Sequence, residues 1–120
     1  MKIIIAGSRK FSNYKLLCEK ADRILQNQSE IVIVSGGAAG ADRLGERYAR
    51  ERGYQCVVMK ADWERHGRQA GYKRNVEMAG FADGLIAFWD MESRGTKHMI
   101  ETMNQQAKSV RVINFTGGNN

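Results

Sequence analysis

The sequence contains no proline in 120 residues, against an average usage of about 5%. Every turn must therefore be made by Gly, Asn, Asp or Ser. Cysteine is scarce. Cys18 and Cys56 have no metal-ligand spacing and read as buried core thiols of a reducing compartment. The two histidines, His66 and His98, show no ligand pattern and read as surface residues, so no metal centre is expected. H-E-x-x-H, G-x-x-x-x-G-K-[ST] and G-x-G-x-x-G are all absent, as is any Ser-His-Asp or Cys-His order. No catalytic machinery is readable. No run approaches 18 apolar residues, and Met1–Gly7 is too short for a secretory h-region. The expectation is a cytoplasmic chain with no membrane partner.

What is present is ordinary for a globular domain: 42% hydrophobic and 27% charged residues, in a length that can bury a core without staples. There are 19 Lys and Arg against 13 Asp and Glu, a net charge of +6. That favours an anionic partner but does not choose between a nucleic acid and a nucleotide.

Short apolar runs alternate with longer amphipathic ones. Ile3–Ala6, Glu30–Val34, Gln55–Met59, Gly84–Trp89 and Val110–Ile113 read as strands. Tyr14 to Leu25 with Ser12 as N-cap, Ala41 to Ala49 ended by Gly53, Gln69 to Phe81, and Met99 to Ala107 carry helical spacing. Strands apolar on both faces belong to a parallel sheet covered by helices. The expected fold is α/β, a Rossmann-like doubly wound parallel sheet of about five strands in the order 3-2-1-4-5. The domain is placed at residues 1–114, with a flexible tail at 115–120.

In such sheets ligands bind beyond the carboxyl ends of the strands. The residues there are Gly7-Ser8-Arg9-Lys10, Ser35 to Asp42, Asp62-Trp63 with Gly67 to Asn75, and Asp90 to Thr96. The connections at the other edge are short and plain, so glycine, arginine and hydroxyl residues gather on one side. Ser35-Gly36-Gly37-Ala38-Ala39-Gly40-Ala41-Asp42 leads from a strand into a helix. It could cradle a phosphate on backbone N–H groups or be a tight turn with Asp42 as a cap. Arg9 could fork onto a phosphate or be solvated. Ser93-Arg94-Gly95-Thr96 could be a second anion-binding helix start or a plain cap. Arg68, Arg74 and Asn75 sit on or beside the third helix, either as ligand contacts or as a basic surface. Trp63 could stack on a base or pack.

Seven motifs stand in order: Gly7-Ser8-Arg9-x-Phe11; Ser35-Gly-Gly-Ala-x-Gly-Ala-Asp42; Ala61-Asp62-Trp63; Gly67-Arg68-x-Ala70-Gly71; Arg74-Asn75-x-x-Met78; Ala82-Asp83; and Ser93-Arg94-Gly95-Thr96. Together they resemble the small YspA-like, YpsA-related branch of the SLOG superfamily, from Met1 to about Ile113. The resemblance implies a Rossmann-like domain that binds nucleotides or nucleotide-derived signals. It implies ligand contacts from Gly7, Ser8 and Arg9, from Gly36 to Asp42 (Gly36, Gly37, Gly40 and Asp42 among them), from Arg74 and Asn75, and from Ser93, Gly95 and Thr96. Ser35 and Trp63 complete the candidate set. The superfamily also includes the Lonely Guy phosphoribohydrolases, whose P-G-G-x-G-T-x-x-E is only partly matched. Here the first glycine pair is missing, position 99 is Met, and Glu101 is turned about 200° away on a helix.

The reading is a binder of a nucleotide-derived small molecule, such as an ADP-ribose-like or nucleoside-monophosphate-like ligand, needing no further cofactor. It would serve as sensor, carrier or sequestering protein. The enzymatic alternative is an N-glycosidic hydrolase of Lonely Guy type using Asp42, Asp62, Asp90 or Glu92. The other alternative, less favoured, is single-stranded DNA binding as in DNA-processing protein A. That would draw on Phe11, Trp63, Tyr72 and Trp89 as stacking residues. Related SLOG proteins self-associate, so the resemblance also implies a homodimer or larger homo-oligomer. Met78, Phe81, Met99 and Met103 would be its candidate surface.

Overall fold

The computed structural model describes residues 1–115. Five strands, β1 (Lys2–Gly7), β2 (Val32–Ser35), β3 (Gln55–Val58), β4 (Gly84–Trp89) and β5 (Ser109–Asn114), alternate with helices. The helices are α1 (Tyr14–Leu25), α2 (Ala41–Arg52), α3 (Trp63–His66), α4 (Ala70–Phe81) and α5 (Arg94–Gln105). All strand pairs are parallel, in the order β3-β2-β1-β4-β5. The expected class and strand order are those observed.

β1 explains the two-sided core. Successive side chains alternate between sheet faces. Ile3 and Ile5 join Phe11, Leu17, Ala21, Tyr48 and Phe88 under α1 and α2. Ile4 points the other way, to Met78, Ala79, Leu85, Met99 and Met103 under α4 and α5. Fully burying one such aliphatic side chain stabilises by about 1.5–3 kcal/mol, so the central strand anchors both layers.

Several boundaries move, each for a local reason. α1 is capped by Asn13, whose Oδ1 accepts from Leu16 N–H at 3.0 Å. Ser12 only presents its carbonyl to Tyr14 N–H. β2 starts at Val32 rather than Glu30, because Glu30 adopts φ +53° and breaks the extended run. The segment after β3 contains an unforeseen helix, α3, capped by Asp62 through Arg65 N–H. A 3-10 turn at Gly67–Gln69 links it to α4. Gly71 and Asn75 therefore share a face of α4, while Gly67 lies outside the helix.

Other expectations fail on burial. β3 and β5 lie at the sheet's edges and are largely exposed. Cys56, on β3, is exposed rather than a core thiol, and Cys18 is half-buried. Met78, Met99 and Met103 are core residues, at most 2% exposed, and so offer no surface for self-association; Phe81 remains exposed. Phe11 is also core, stacked on Phe88 at 4.8 Å. Phe115, assigned to the tail, is buried edge-on against Phe11. Packing thus reaches one residue past the expected boundary, and the rest of that tail, 116–120, lies outside the described residues. No helix among the described residues is long and apolar enough to cross a membrane.

Helix α2 approaches β1 unusually closely. A Cβ on Gly45 would stand 2.8 Å from Ile5 Cβ and Cγ2, atoms that the backbone of β1 holds in place. Gly45→Ala should therefore destabilise the fold by roughly 1–3 kcal/mol. Gly80→Ala, on the open side of α4 with nothing within 4 Å, should be neutral or stabilising by up to about 1 kcal/mol. Urea unfolding of the two variants checks the pair.

Candidate functional site

The chain reverses its direction of winding between β1 and β4, and the loops leaving these strands part company there. Ser8 N–H donates to Phe88 O at 3.0 Å, the last rung between the two strands. Gly7 makes the approach possible, since a Cβ there would fall 2.1 Å from Phe88 O. Beyond this point opens a cavity of about 510 Å³, within the range of small-molecule sites.

The cavity gathers Gly7, Ser8, Arg9, Gly36, Asp42, Trp63, Arg74, Asn75, Ser93, Gly95 and Thr96 from the candidate set. Ser35, Gly37 and Gly40 stay outside its lining and shape the loop beneath it. Lys10, Arg68, Tyr72, Asp90 and Glu92 also line it. Arg68 reads from the sequence as a possible ligand contact, Tyr72 as a stacking residue, and Asp90 and Glu92 as carboxylates of the enzymatic alternative; Lys10 is marked only by its place after the first strand. Of the aromatics expected near the edge, Trp63 and Tyr72 line the cavity, and they are 55% and 45% exposed. Phe11 is core, and Trp89 donates its indole N–H to Ser93 O at 3.0 Å.

Much of the loop polarity is used internally. In the β2–α2 loop, Ser35 Oγ donates to Glu46 Oε2 (2.7 Å) and accepts from Gly37 N–H (3.1 Å). Asp42 Oδ2 accepts from Ala38 N–H at 3.1 Å. This loop, which reads as a phosphate cradle, therefore already holds a carboxylate of its own. Gly40 caps α2 at φ +76°, where a Cβ would stand 2.4 Å from Ser8 O. After β1, Ser8 Oγ donates to Asp90 Oδ2 (3.0 Å) and accepts from Lys10 N–H (3.1 Å). Asp90 Oδ1 accepts from Glu92 and Ser93 N–H, both at 2.9 Å. Ser93 then caps α5 through Thr96 N–H.

Four cations (Arg9, Lys10, Arg68 and Arg74) face three carboxylates (Asp42, Asp90 and Glu92) across the cavity. Among the described residues the salt bridges are Arg47–Glu51 and Arg52–Asp22, both away from this site. Arg74 is held by carbonyls, its Nη1 donating to Gly36 O at 2.6 Å. Burial pulls its pKa down, opposed by the charge of Asp42. The hydrogen bonds to Asp90 outweigh its desolvation and keep its carboxyl below the usual range. Asp42, 6% exposed, goes the other way. Desolvation pushes it up to about 6 against the pull of Ala38 N–H, Arg74 and Arg9. The two carboxyls thus part in protonation behaviour within one cavity. Helix α5 sends no carboxylate inward: Met99 lines the cavity, whereas Glu101 is exposed and lies outside it.

A doubly wound parallel sheet with a charged cavity at its switch point is a Rossmann-like domain. The chain belongs to the YspA, cpYpsA-related SLOG family, whose model matches residues 1–66. It is 37% identical over 122 residues to the gene 61 protein of Mycobacterium phage D29, with 95% of each chain aligned. Its fold is similar to DNA processing protein A (DprA) from Streptococcus pneumoniae, with a TM-score of 0.77 and 22% identity. That match covers 98% of this chain and 52% of the DprA chain, so the chain spans about half of that protein's length. DprA from Helicobacter pylori, described for its single-stranded DNA binding mode, matches with a TM-score of 0.73 and 19% identity. That match covers 99% of this chain and 70% of the other.

The raised pKa of Asp42 carries a stability signature. Its folded value of about 6 exceeds the ordinary 3.8. The contribution is therefore complete below about 4 and is lost as pH rises through 6. A displacement of this size corresponds to about 3 kcal/mol. Asp42→Asn keeps an acceptor for Ala38 N–H but cannot ionise. Denaturation of both proteins at pH 4 and pH 8 should show the wild type losing roughly 2–3 kcal/mol relative to the variant. Parallel curves would remove Asp42 as the titrating group.

Proposed function

We propose that the chain binds a nucleotide or nucleotide-derived molecule in the cavity at the carboxyl edge of the sheet, acting as a sensor, carrier or sequestering protein. The observation that carries this reading is the convergence of four cations, none in a salt bridge among the described residues, and a largely exposed indole on one nucleotide-sized cavity. The cations supply charge for phosphate. The aromatic rim supplies a stacking surface for a base.

The internal hydrogen bonding supports one orientation. The β2–α2 loop already satisfies Gly37 and Ala38 N–H from its own side chains, and the Asp42 carboxyl stands beside them. At the start of α5, Thr96 N–H is held by Ser93 Oγ, whereas Gly95, which lines the cavity, keeps an N–H with no intrahelical partner. The anionic group belongs there, near Arg9 and Lys10, with the base toward Trp63 and Tyr72. Binding requires no further cofactor.

Single-stranded nucleic acid is the second reading. Trp63 and Tyr72 are exposed beside Arg68 and Lys73, an aromatic and basic combination suited to stacked bases. The structural likeness to DprA points the same way. The two readings separate by salt dependence, which is steep when several phosphates are neutralised.

A thermal-shift panel of AMP, ADP, ATP, NAD, ADP-ribose, cyclic nucleotides and a short oligodeoxynucleotide tests both. A ligand at 100 times its Kd adds about 2.7 kcal/mol and should raise Tm by several degrees. Trp63→Ala should weaken the responding ligand roughly 5- to 100-fold, the range of base stacking on an aromatic, while leaving the unliganded Tm nearly unchanged. Unaltered affinity would overturn the stacking role.

A further inference from the structure

Asn75 lines the cavity, but its amide is committed elsewhere. Its Oδ1 accepts from Arg74 Nε at 3.1 Å, and its Nδ2 donates to Gly95 O at 3.2 Å. The same Nδ2 lies 3.2 Å from His98 Nδ1. A guanidinium N–H can only donate and a carbonyl can only accept, so this amide has one workable orientation. Both of its N–H groups point away from Arg74, and His98 Nδ1 must present a lone pair to the second. The ring proton then sits on Nε2, 3.4 Å from Thr102 Oγ1, which itself donates to His98 O at 2.7 Å. From Arg74 the chain continues to Gly36 O and Met59 O. One unbroken series of hydrogen bonds thus joins the first turn of α5 to the β2–α2 loop, the two helix starts that flank the cavity.

We propose that Asn75 and His98 are positioning residues: they hold Gly95 and Arg74 in register for the ligand's anionic group, and a proton on His98 Nδ1 breaks that register, so anion binding and protonation of His98 oppose one another. This rests on the anion-binding reading above. A protonated ring would aim an N–H at the Asn75 amide. Turning the amide to meet it would set its oxygen against Gly95 O and its N–H groups against Arg74 Nε. Neither arrangement satisfies all partners.

The proposal opposes simple charge attraction, by which an imidazolium beside the site would favour an anion. The groups around His98 are Glu101 on its own helix, with the Tyr72 ring at 4.5 Å and Lys73 in the same shallow groove on α4. Burial outweighs Glu101 and keeps the imidazole below its ordinary 6.5. The neutral form's contribution is therefore complete above that value and is lost as pH falls.

Sulfate is the probe, because its charge is constant over this range. The NMR titration of His98 is followed with and without sulfate at fixed ionic strength. A coupling of one hydrogen bond, about fivefold, must act reciprocally, so sulfate should lower the apparent pKa of His98 by about 0.7. An unchanged or raised value overturns the proposal. His98→Asn, whose amide Oδ1 occupies the place of Nδ1, should keep sulfate affinity at pH 7.5 within about twofold, while His98→Leu should lose about fivefold. Equal affinities for the two variants would also overturn it. If sulfate does not bind the wild type, the anion-binding reading fails. The Gly95 amide signal of the free protein then decides the coupling: movement with the His98 titration supports it, and a still signal overturns it.

Discussion

The molecule hangs on the parallel pairing of β1 with β4. Five consecutive residues, Ile3 to Gly7, register with Gly84 to Phe88, and Ser8 N–H extends the ladder to Phe88 O. This junction joins the half built from β1, α1, β2, α2 and β3 to the half built from α4, β4, α5 and β5. It sits where both faces of the sheet are covered, so Ile3, Ile4 and Ile5 are each at most 5% exposed. Because the two halves wind away from one another here, the loops after β1 and β4 diverge. The cavity is the space they leave. Parallel pairing thus creates the site as a by-product of connecting the core.

The loops around that space share their polar groups in two ways. Some are used up inside the protein: Ser8 on Asp90, Ser35 on Glu46, Asp42 on Ala38 N–H, and Asn75 between Arg74 and Gly95. No buried side-chain nitrogen or oxygen among the described residues lacks a partner, as a low-dielectric interior demands. The others, Arg9, Lys10 and Arg68, line the cavity with no side-chain hydrogen bond or salt bridge among the described residues, and Trp63 beside them is 55% exposed. The rigid group sets the shape, and the free group is available to a ligand. Asp42 belongs to both, since it is bonded within its loop yet buried enough to titrate near neutrality.

The architecture was legible because it depends on local periodicity. Apolar runs at Ile3, Ile33 and Leu85 could only be two-sided strands, and the covered, right-handed connections such strands need lead to a doubly wound sheet; the order β3-β2-β1-β4-β5 matches the one expected, but no local pattern dictates it. Local signals also placed Gly53 at the end of α2, where its φ of +74° forms a left-handed cap. Elsewhere several residues competed for one role. Ser12 and Asn13 are both able caps, and backbone geometry chose Asn13. Lys60 to Gly67 is mostly polar, with Ala61 and Trp63 alone apolar, so nothing in its spacing announces a helix, yet Asp62 caps one. Cys56 looks like a core residue until β3 is known to be an edge strand.

By itself, then, the sequence determined the fold class and the edge at which glycine, arginine and hydroxyl residues meet. These follow from patterns a few residues long, and periodicity carries them without reference to distant contacts. Only the tertiary structure decided which polar groups are spent and which are free. Ser8 and Asp90 are 82 positions apart, and Arg74 and Gly36 are 38. Asn75 finds Gly95 and His98 on another helix. Such pairings depend on where α4 and α5 land against the sheet. A hydrogen bond made across that distance leaves no mark in the local sequence of either partner.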